Sequence, residues 1–137
     1  MFDRAPAYLV TLPNFLVYFV ASLALTALFL LIYTRVTPYR EFALIRAGNN
    51  AAAISLCGAG LGFILPLAST IANSVNWLDM VVWGAVAMLV QLGTYMLARL
   101  IKPQLNQDIA AGQTAPAVSL AGMSIGVGIL NAACLTW

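Results

Sequence analysis

The chain has 137 residues, of which 63% are hydrophobic and 7% charged, with a net charge of +2. An ordinary soluble domain is about 25% charged, so this chain lacks the polar surface to cover a globule in water and reads as an integral membrane protein. The small net charge argues against a nucleic-acid partner, the absence of histidine removes the commonest general base and transition-metal ligand, and Cys57 and Cys134 cannot form a zinc site alone.

A helix needs roughly 20 apolar residues to cross the hydrocarbon core. The chain has room for four such spans and no soluble module, so residues 1–137 are expected to be a single membrane domain. Asp3 and Arg4 cancel at the N-terminus, and the apolar run that follows is too long for a signal peptide, so it is read as a genuine first span. Leu12-Pro13-Asn14 reads as a helix start, since proline suits a first turn. The first helix is predicted over residues 14–33, with Ser22 and Thr26 one turn apart. Tyr33 and Arg35 are interfacial residues, and Pro38 ends the helix.

Residues 36–48 form a loop carrying Arg40, Glu41 and Arg46 among Phe42, Leu44 and Ile45, the pattern of a short amphipathic segment lying on the membrane surface. Asn50 is the predicted N-cap of the second helix, over residues 51–71. Its small residues Ala51, Ser55, Ala59, Gly62, Pro66 and Ser69 share a face. Pro66 has no N–H to give the Gly62 carbonyl, which predicts a bend there. A polar turn with Asn73, Ser74 and Asn76 leads to the third helix, over residues 78–98, flanked by Trp77 and Trp83 and with Asp79 at the boundary. Gln91 and Thr94 are its deeper polar residues, and Arg99, Lys102 and Pro103 close it. A second loop follows over residues 104–113. The fourth helix begins at 115 and has two small-residue sides: Ala115, Ser119, Gly122 and Gly126 on one, and Ala117, Ala121, Ser124 and Gly128 on the other.

Arg35, Arg40, Arg46, Arg99 and Lys102 all fall in the two loops after odd-numbered helices, while Arg4 lies at the opposite end. The excess of Lys and Arg marks the cytoplasmic side, so both termini are expected outside the cytoplasm. The same five cations are candidates for anionic lipid headgroups, at about 1 kcal/mol each.

At a constant offset of 64 residues, Gly48 falls on Gly112, Ser55 on Ser119, Gly58 on Gly122 and Gly62 on Gly126. The chain therefore reads as an all-α, four-transmembrane-helix bundle built from two parallel two-helix repeats, residues 11–73 and 75–137. A pseudo-two-fold axis along the membrane normal would relate them. Helices gain little hydrophobic free energy by touching in lipid, and small residues permit the close packing that replaces it. Helices two and four are thus expected to pack through Gly58, Gly62, Gly122 and Gly126, with Ser55 and Ser119 alongside. Gln91, Asn131, Ser22 and Thr26 are candidates for polar lining or interhelical hydrogen bonds. Cys57 and Cys134 lie too far apart in depth for a disulfide and are expected to be buried small hydrophobes.

Two runs carry a resemblance. Asn50-Ala-Ala-Ala-Ile-Ser-Leu-Cys-Gly-Ala-Gly-Leu-Gly-Phe-Ile-Leu-Pro-Leu-Ala-Ser69 and Gly128-Ile-Leu-Asn-Ala-Ala-Cys-Leu-Thr-Trp137, together with Arg35-Val-Thr-Pro38, resemble the YjfL-like bacterial inner membrane proteins of the domain-of-unknown-function 350 family. The resemblance spans nearly the whole chain. It implies a small four-helix protein of the bacterial cytoplasmic membrane with no assigned activity, encoded in some relatives near membrane-stress proteins of phage-shock type.

Three function classes follow. The first is a structural or interaction component of the membrane, linked to envelope stress through its basic loops. The second is an oligomeric pore or small-solute transporter lined by Ser22, Thr26, Ser55, Gln91 and Ser119. An enzyme is the least supported, with no clustered acids and no metal or cofactor set. Membrane lipids and further copies of the chain, as a homo-oligomer, are the expected partners.

Overall fold

A computed structural model describes residues 5–37, 40–73 and 76–135. Among the described residues six helices follow one another: α1 (Ala5–Val36), α2 (Glu41–Arg46), α3 (Asn50–Asn73), α4 (Trp77–Ile101), α5 (Leu105–Ala110) and α6 (Thr114–Cys134). The described residues contain no strand. Four helical stretches are long and apolar enough to cross a membrane: Thr11–Val36, Asn50–Asn73, Trp77–Ile101 and Thr114–Cys134. The fold is an all-α bundle of four spanning helices, with α2 and α5 capping the end that carries Arg35, Arg40, Arg46, Arg99 and Lys102, here called the basic end.

The helix boundaries follow from backbone accounting. In lipid, an unpaired N–H or C=O has no water to turn to, so the chain stays helical wherever it can. That is why α1 carries Pro13 inside it, rather than starting at the proline. Asn49, not Asn50, caps α3: its Oδ1 accepts the Ala52 N–H at 3.0 Å. Its Nδ2 donates to the carbonyls of Ile109 and Ala110, at 3.2 and 3.1 Å, and so ties the start of α3 to the end of α5. Asn76 caps α4 by accepting the Asp79 N–H. Both short helices end in a glycine with positive φ, Gly48 at 89° and Gly112 at 87°, a conformation glycine adopts without a Cβ penalty.

α3 is the hub. It contacts every other helix, most extensively α6. Gly58 lies against Ala121, Gly62 against the backbone of Ser124, and Gly128 against the backbone of Gly62. A Cβ at any of the three would overlap its neighbour, so these glycines set the interhelical distance. α1 is held most firmly near the basic end, where Phe29 and Tyr33 are buried and Phe29 stacks on Phe63 at 4.7 Å between ring centroids, while Tyr18, Ala21 and Leu25 pack against the core part-buried. Apart from Tyr18, its other half, from Leu12 to Val20, faces outward.

The expected register of α6 is corrected by this packing. Gly122 and Gly126 face open space and Ser119 is exposed. The face turned to the bundle carries Pro116, Ala117, Leu120, Ala121, Ser124 and Gly128. Neighbouring residues of a helix point roughly 100° apart, so seating Gly122 and Gly126 instead would turn Leu120 and the Ser124 carbonyl away from their partners. Ser55 is buried on α3 as expected, bonding the Ala52 carbonyl of its own helix.

Replacing Gly62 or Gly128 with alanine forces α3 and α6 apart and should cost about 1–3 kcal/mol. Gly126→Ala should leave stability unchanged or improve it, since glycine is about 1 kcal/mol poorer than alanine in a helix. Thermal midpoints in lipid nanodiscs check this; equal losses at positions 62 and 126 would contradict the register.

Candidate functional site

Two buried polar groups stand out. The first lies in mid-span. Pro66 cannot bond the Gly62 carbonyl four residues earlier. Gln91 of α4, 1% exposed, donates its Nε2 to that carbonyl at 2.9 Å and to the Ser124 carbonyl of α6 at 3.1 Å. One amide thereby joins three spans. Its Oε1 is buried without a hydrogen-bond partner and rests against Gly62.

The second group lies at the basic end. The Thr37 hydroxyl lies 3.3 Å from the Thr34 carbonyl and 2.6 Å from Oε1 of Glu41. Residue 38 is proline and has no N–H to offer. Glu41 opens α2 and is 1% exposed, and its Oε2 has no hydrogen-bond partner. Burial pushes its carboxyl up to about 7 from 4.5, against the smaller opposing effect of the Thr37 hydroxyl. Tyr95 donates its hydroxyl to Oδ1 of the buried Asn106, joining α4 to α5. The Tyr33 ring meets Tyr95 edge-on at 5.5 Å, and Glu41 and Arg99 both lie within Coulombic reach of Tyr95. A carboxyl, two phenols, a hydroxyl and an amide thus converge from α1, α2, α4 and α5. Such a set can hold and exchange protons and form hydrogen bonds.

The other expected site residues are dispersed. Ser22 and Thr26 bond carbonyls of their own helix, those of Phe19 and Ser22. They line an apolar groove of about 200 Å³ between α1 and α3. Ser119 bonds the Ala115 carbonyl and lines a cleft of about 230 Å³ between α4, α5 and α6. Asn131 is half-buried with its Nδ2 unpartnered, close to the link from Ser69 to the Ala132 carbonyl. Arg35, Arg40, Arg46 and Arg99 are exposed at the basic end. Lys102 forms an ion pair with Asp108 at 3.3 Å, which ties down one of the five expected headgroup cations. Cys57 and Cys134 are free and exposed, not buried. Arg4 and Trp137 lie outside the described residues.

Sequence reasoning missed Glu41, Tyr33, Tyr95 and Asn106 as a group. A signal existed in α2. Glu41, Leu44 and Ile45 have the spacing of one helix face, and Leu44 and Ile45 pack against the core. That places Glu41 on the apolar stripe that α2 turns toward the bundle.

Four apolar spans around a glycine-packed centre define a small polytopic α-helical membrane protein. The chain belongs to the family described as Domain of Unknown Function (DUF350), which it matches over residues 7–135. It is 37% identical over 123 residues to the UPF0719 inner membrane protein YjfL of Escherichia coli (strain K12), covering 90% of this chain and 93% of that protein. It is 30% identical over 112 residues to the UPF0719 transmembrane protein YshE of Bacillus subtilis (strain 168), covering 82% and 83%. No solved structure matches the chain.

Gln91→Leu should destabilise the bundle by roughly 1–2 kcal/mol, the upper range for an interhelical hydrogen bond in a membrane. Pro66→Ala restores a donor for Gly62, so Gln91→Leu should cost measurably less in that background. A double-mutant cycle by reversible unfolding in mixed micelles tests this; purely additive losses would show that the two residues do not share the carbonyl.

Proposed function

We propose that this protein is a non-enzymatic structural or interaction component of the bacterial cytoplasmic membrane, acting through its basic end. The observation that carries the reading is the closed centre of the bundle. α3 and α6 meet backbone to backbone at Gly58, Gly62 and Gly128, and the Gln91 Nε2 is committed to two carbonyls there. A bundle packed this way offers a rigid membrane platform, while the exposed cations Arg35, Arg40, Arg46 and Arg99 suit anionic headgroups or an acidic partner. The charge bias supports an orientation with the basic end in the cytoplasm and both termini outside it. Membrane-stress proteins of phage-shock type are the partner class that the family resemblance suggests.

The repeat is part of the same proposal. The two short helices end through the same bonds 64 residues apart. Gly48 N–H donates to Ile45 and Asn49 N–H to Leu44, while Gly112 N–H donates to Ile109 and Gln113 N–H to Asp108. That recurrence supports two parallel units that have since diverged. A homo-oligomer is supported by the outward face of α1, where Phe15 and Phe19 stack among Leu12, Leu16 and Val20.

The alternative, an oligomeric pore or small-solute transporter, draws on the groove beside Ser22 and Thr26, whose hydroxyls nonetheless serve their own helix. Reconstitution into liposomes separates the two readings. The expected result is no ion or small-solute flux above empty vesicles. Flux that disappears on substituting Ser22 and Thr26 would overturn the platform reading.

A further inference from the structure

The carboxyl of Glu41 is buried, yet no cation among the described residues is paired with it. The ion pair among the described residues joins Lys102 to Asp108, and the arginines beside α2, Arg40 and Arg46, are exposed. The ionisable groups on the elements around it are few. α1 offers Tyr33, with Arg35 exposed beyond it. α3 carries only Cys57, which is exposed. α4 offers Tyr95 and, beyond it, the exposed Arg99; α5 offers Asp108, held by Lys102. The Tyr95 hydroxyl already donates its hydrogen bond to Asn106 Oδ1. A bare carboxylate in this setting has one hydroxyl donor and an oxygen with none, a costly arrangement.

The hydrogen-bond count favours the acid. The Thr37 hydroxyl has one proton and two acceptors in range, Glu41 Oε1 and the Thr34 carbonyl. If Glu41 is ionised, the Thr37 proton goes to it and is withdrawn from the Thr34 carbonyl. If Glu41 is protonated, its O–H donates to Thr37 Oγ1 and Thr37 donates to Thr34. Both needs are then met by one added proton.

α5 supplies an internal comparison. α5 ends through the same bonds as α2, and its opening residue, Leu105, stands 64 residues after Glu41 and is 3% exposed. An apolar side chain serves that place. Glutamate in the corresponding place of α2 is therefore not required for packing.

We propose that Glu41 is a proton-binding site, and that the neutral acid is the form that holds α2 docked against the bundle. Taking up one proton from water converts the carboxylate to the acid, and losing it loosens α2 at the basic end. The sign follows from the two environments. In water the carboxyl titrates near 4.5, and in the docked position near 7. The docked state therefore binds more protons between those values, and docking weakens as pH rises through that window. The proposal stands on the geometry of Thr34, Thr37 and Glu41 and not on the platform reading above.

Glu41 is the chain's sole glutamate, so glutamate carrying ¹³C at its side-chain carboxyl reports on this site alone. The test is isotope-edited infrared spectroscopy of the full protein in lipid nanodiscs, titrated across about pH 4 to 9. The expected result is a protonated carboxyl band that disappears with a midpoint near 7. In a Cys57→Ser, Cys134→Ser background, a spin label on Phe42→Cys should gain mobility with the same midpoint, and Glu41→Leu and Glu41→Gln should hold it immobile throughout. The infrared titration of the unsubstituted chain decides the matter even if a variant fails to fold. A midpoint near 4.5 would overturn the proposal. So would a midpoint that falls as sodium or potassium replaces a large organic cation at constant ionic strength, because the ligand would then be a metal cation. Label mobility that ignores pH while the carboxyl titrates would refute the coupling to α2.

Discussion

A carbonyl that has lost its helical donor inside a bilayer must be answered by the protein, because lipid cannot answer it. That constraint explains the centre of this bundle. Pro66 frees the Gly62 carbonyl, and Gln91 reaches across from α4 to bond it. The same nitrogen also bonds Ser124, so α3, α4 and α6 must converge within the span of one amide. That convergence is possible only because Gly62 and Gly128 bring two backbones into contact. The proline, the glutamine and the glycines are therefore one device: removing any part leaves the others without a purpose.

The basic end solves the same problem with different chemistry. The Thr37 hydroxyl stands near enough to the Thr34 carbonyl to serve it. Here the helper is shared with a carboxyl. α2 and α5 close this end, pinned from behind by Asn49 on the last carbonyls of α5 and by Tyr95 on Asn106. The polar contacts that seat the capping helices come from the spans, which explains why helices of six residues, too short to persist alone, are ordered there.

How much of this the amino acids disclose depends on which signals are one-dimensional. The spans are legible because their length and apolarity are local properties, and the charge bias of the loops is too. The consequence of Pro66 for Gly62 is legible because it concerns a fixed spacing of four residues. The partner that answers it is not, since residue 91 lies 29 positions away from residue 62. The register of α6 is hidden for a different reason. Both of its sides are small, so composition could not choose between Gly122 with Gly126 and Ala121 with Ser124 and Gly128. Packing against Gly58 and Gly62, and the burial of Leu120, made the choice. Glu41 reads as a surface charge because a loop acid beside arginines usually is one. Only its spacing with Leu44 and Ile45 hinted at the inward face.

The two proline sites differ in what they can do afterwards. Gln91 is a neutral amide, so its bonds to Gly62 and Ser124 persist at any physiological pH. It suits a fixed joint deep in the membrane, where a charge would be expensive. Glu41 carries a group whose protonation changes what Thr37 can offer to Thr34. It stands at the edge of the span, where water can deliver the proton. The bundle thus combines an invariant core with one adjustable end. The adjustable end is the one that gathers the exposed arginines, so a change in α2 would alter how those cations meet whatever lies against the membrane.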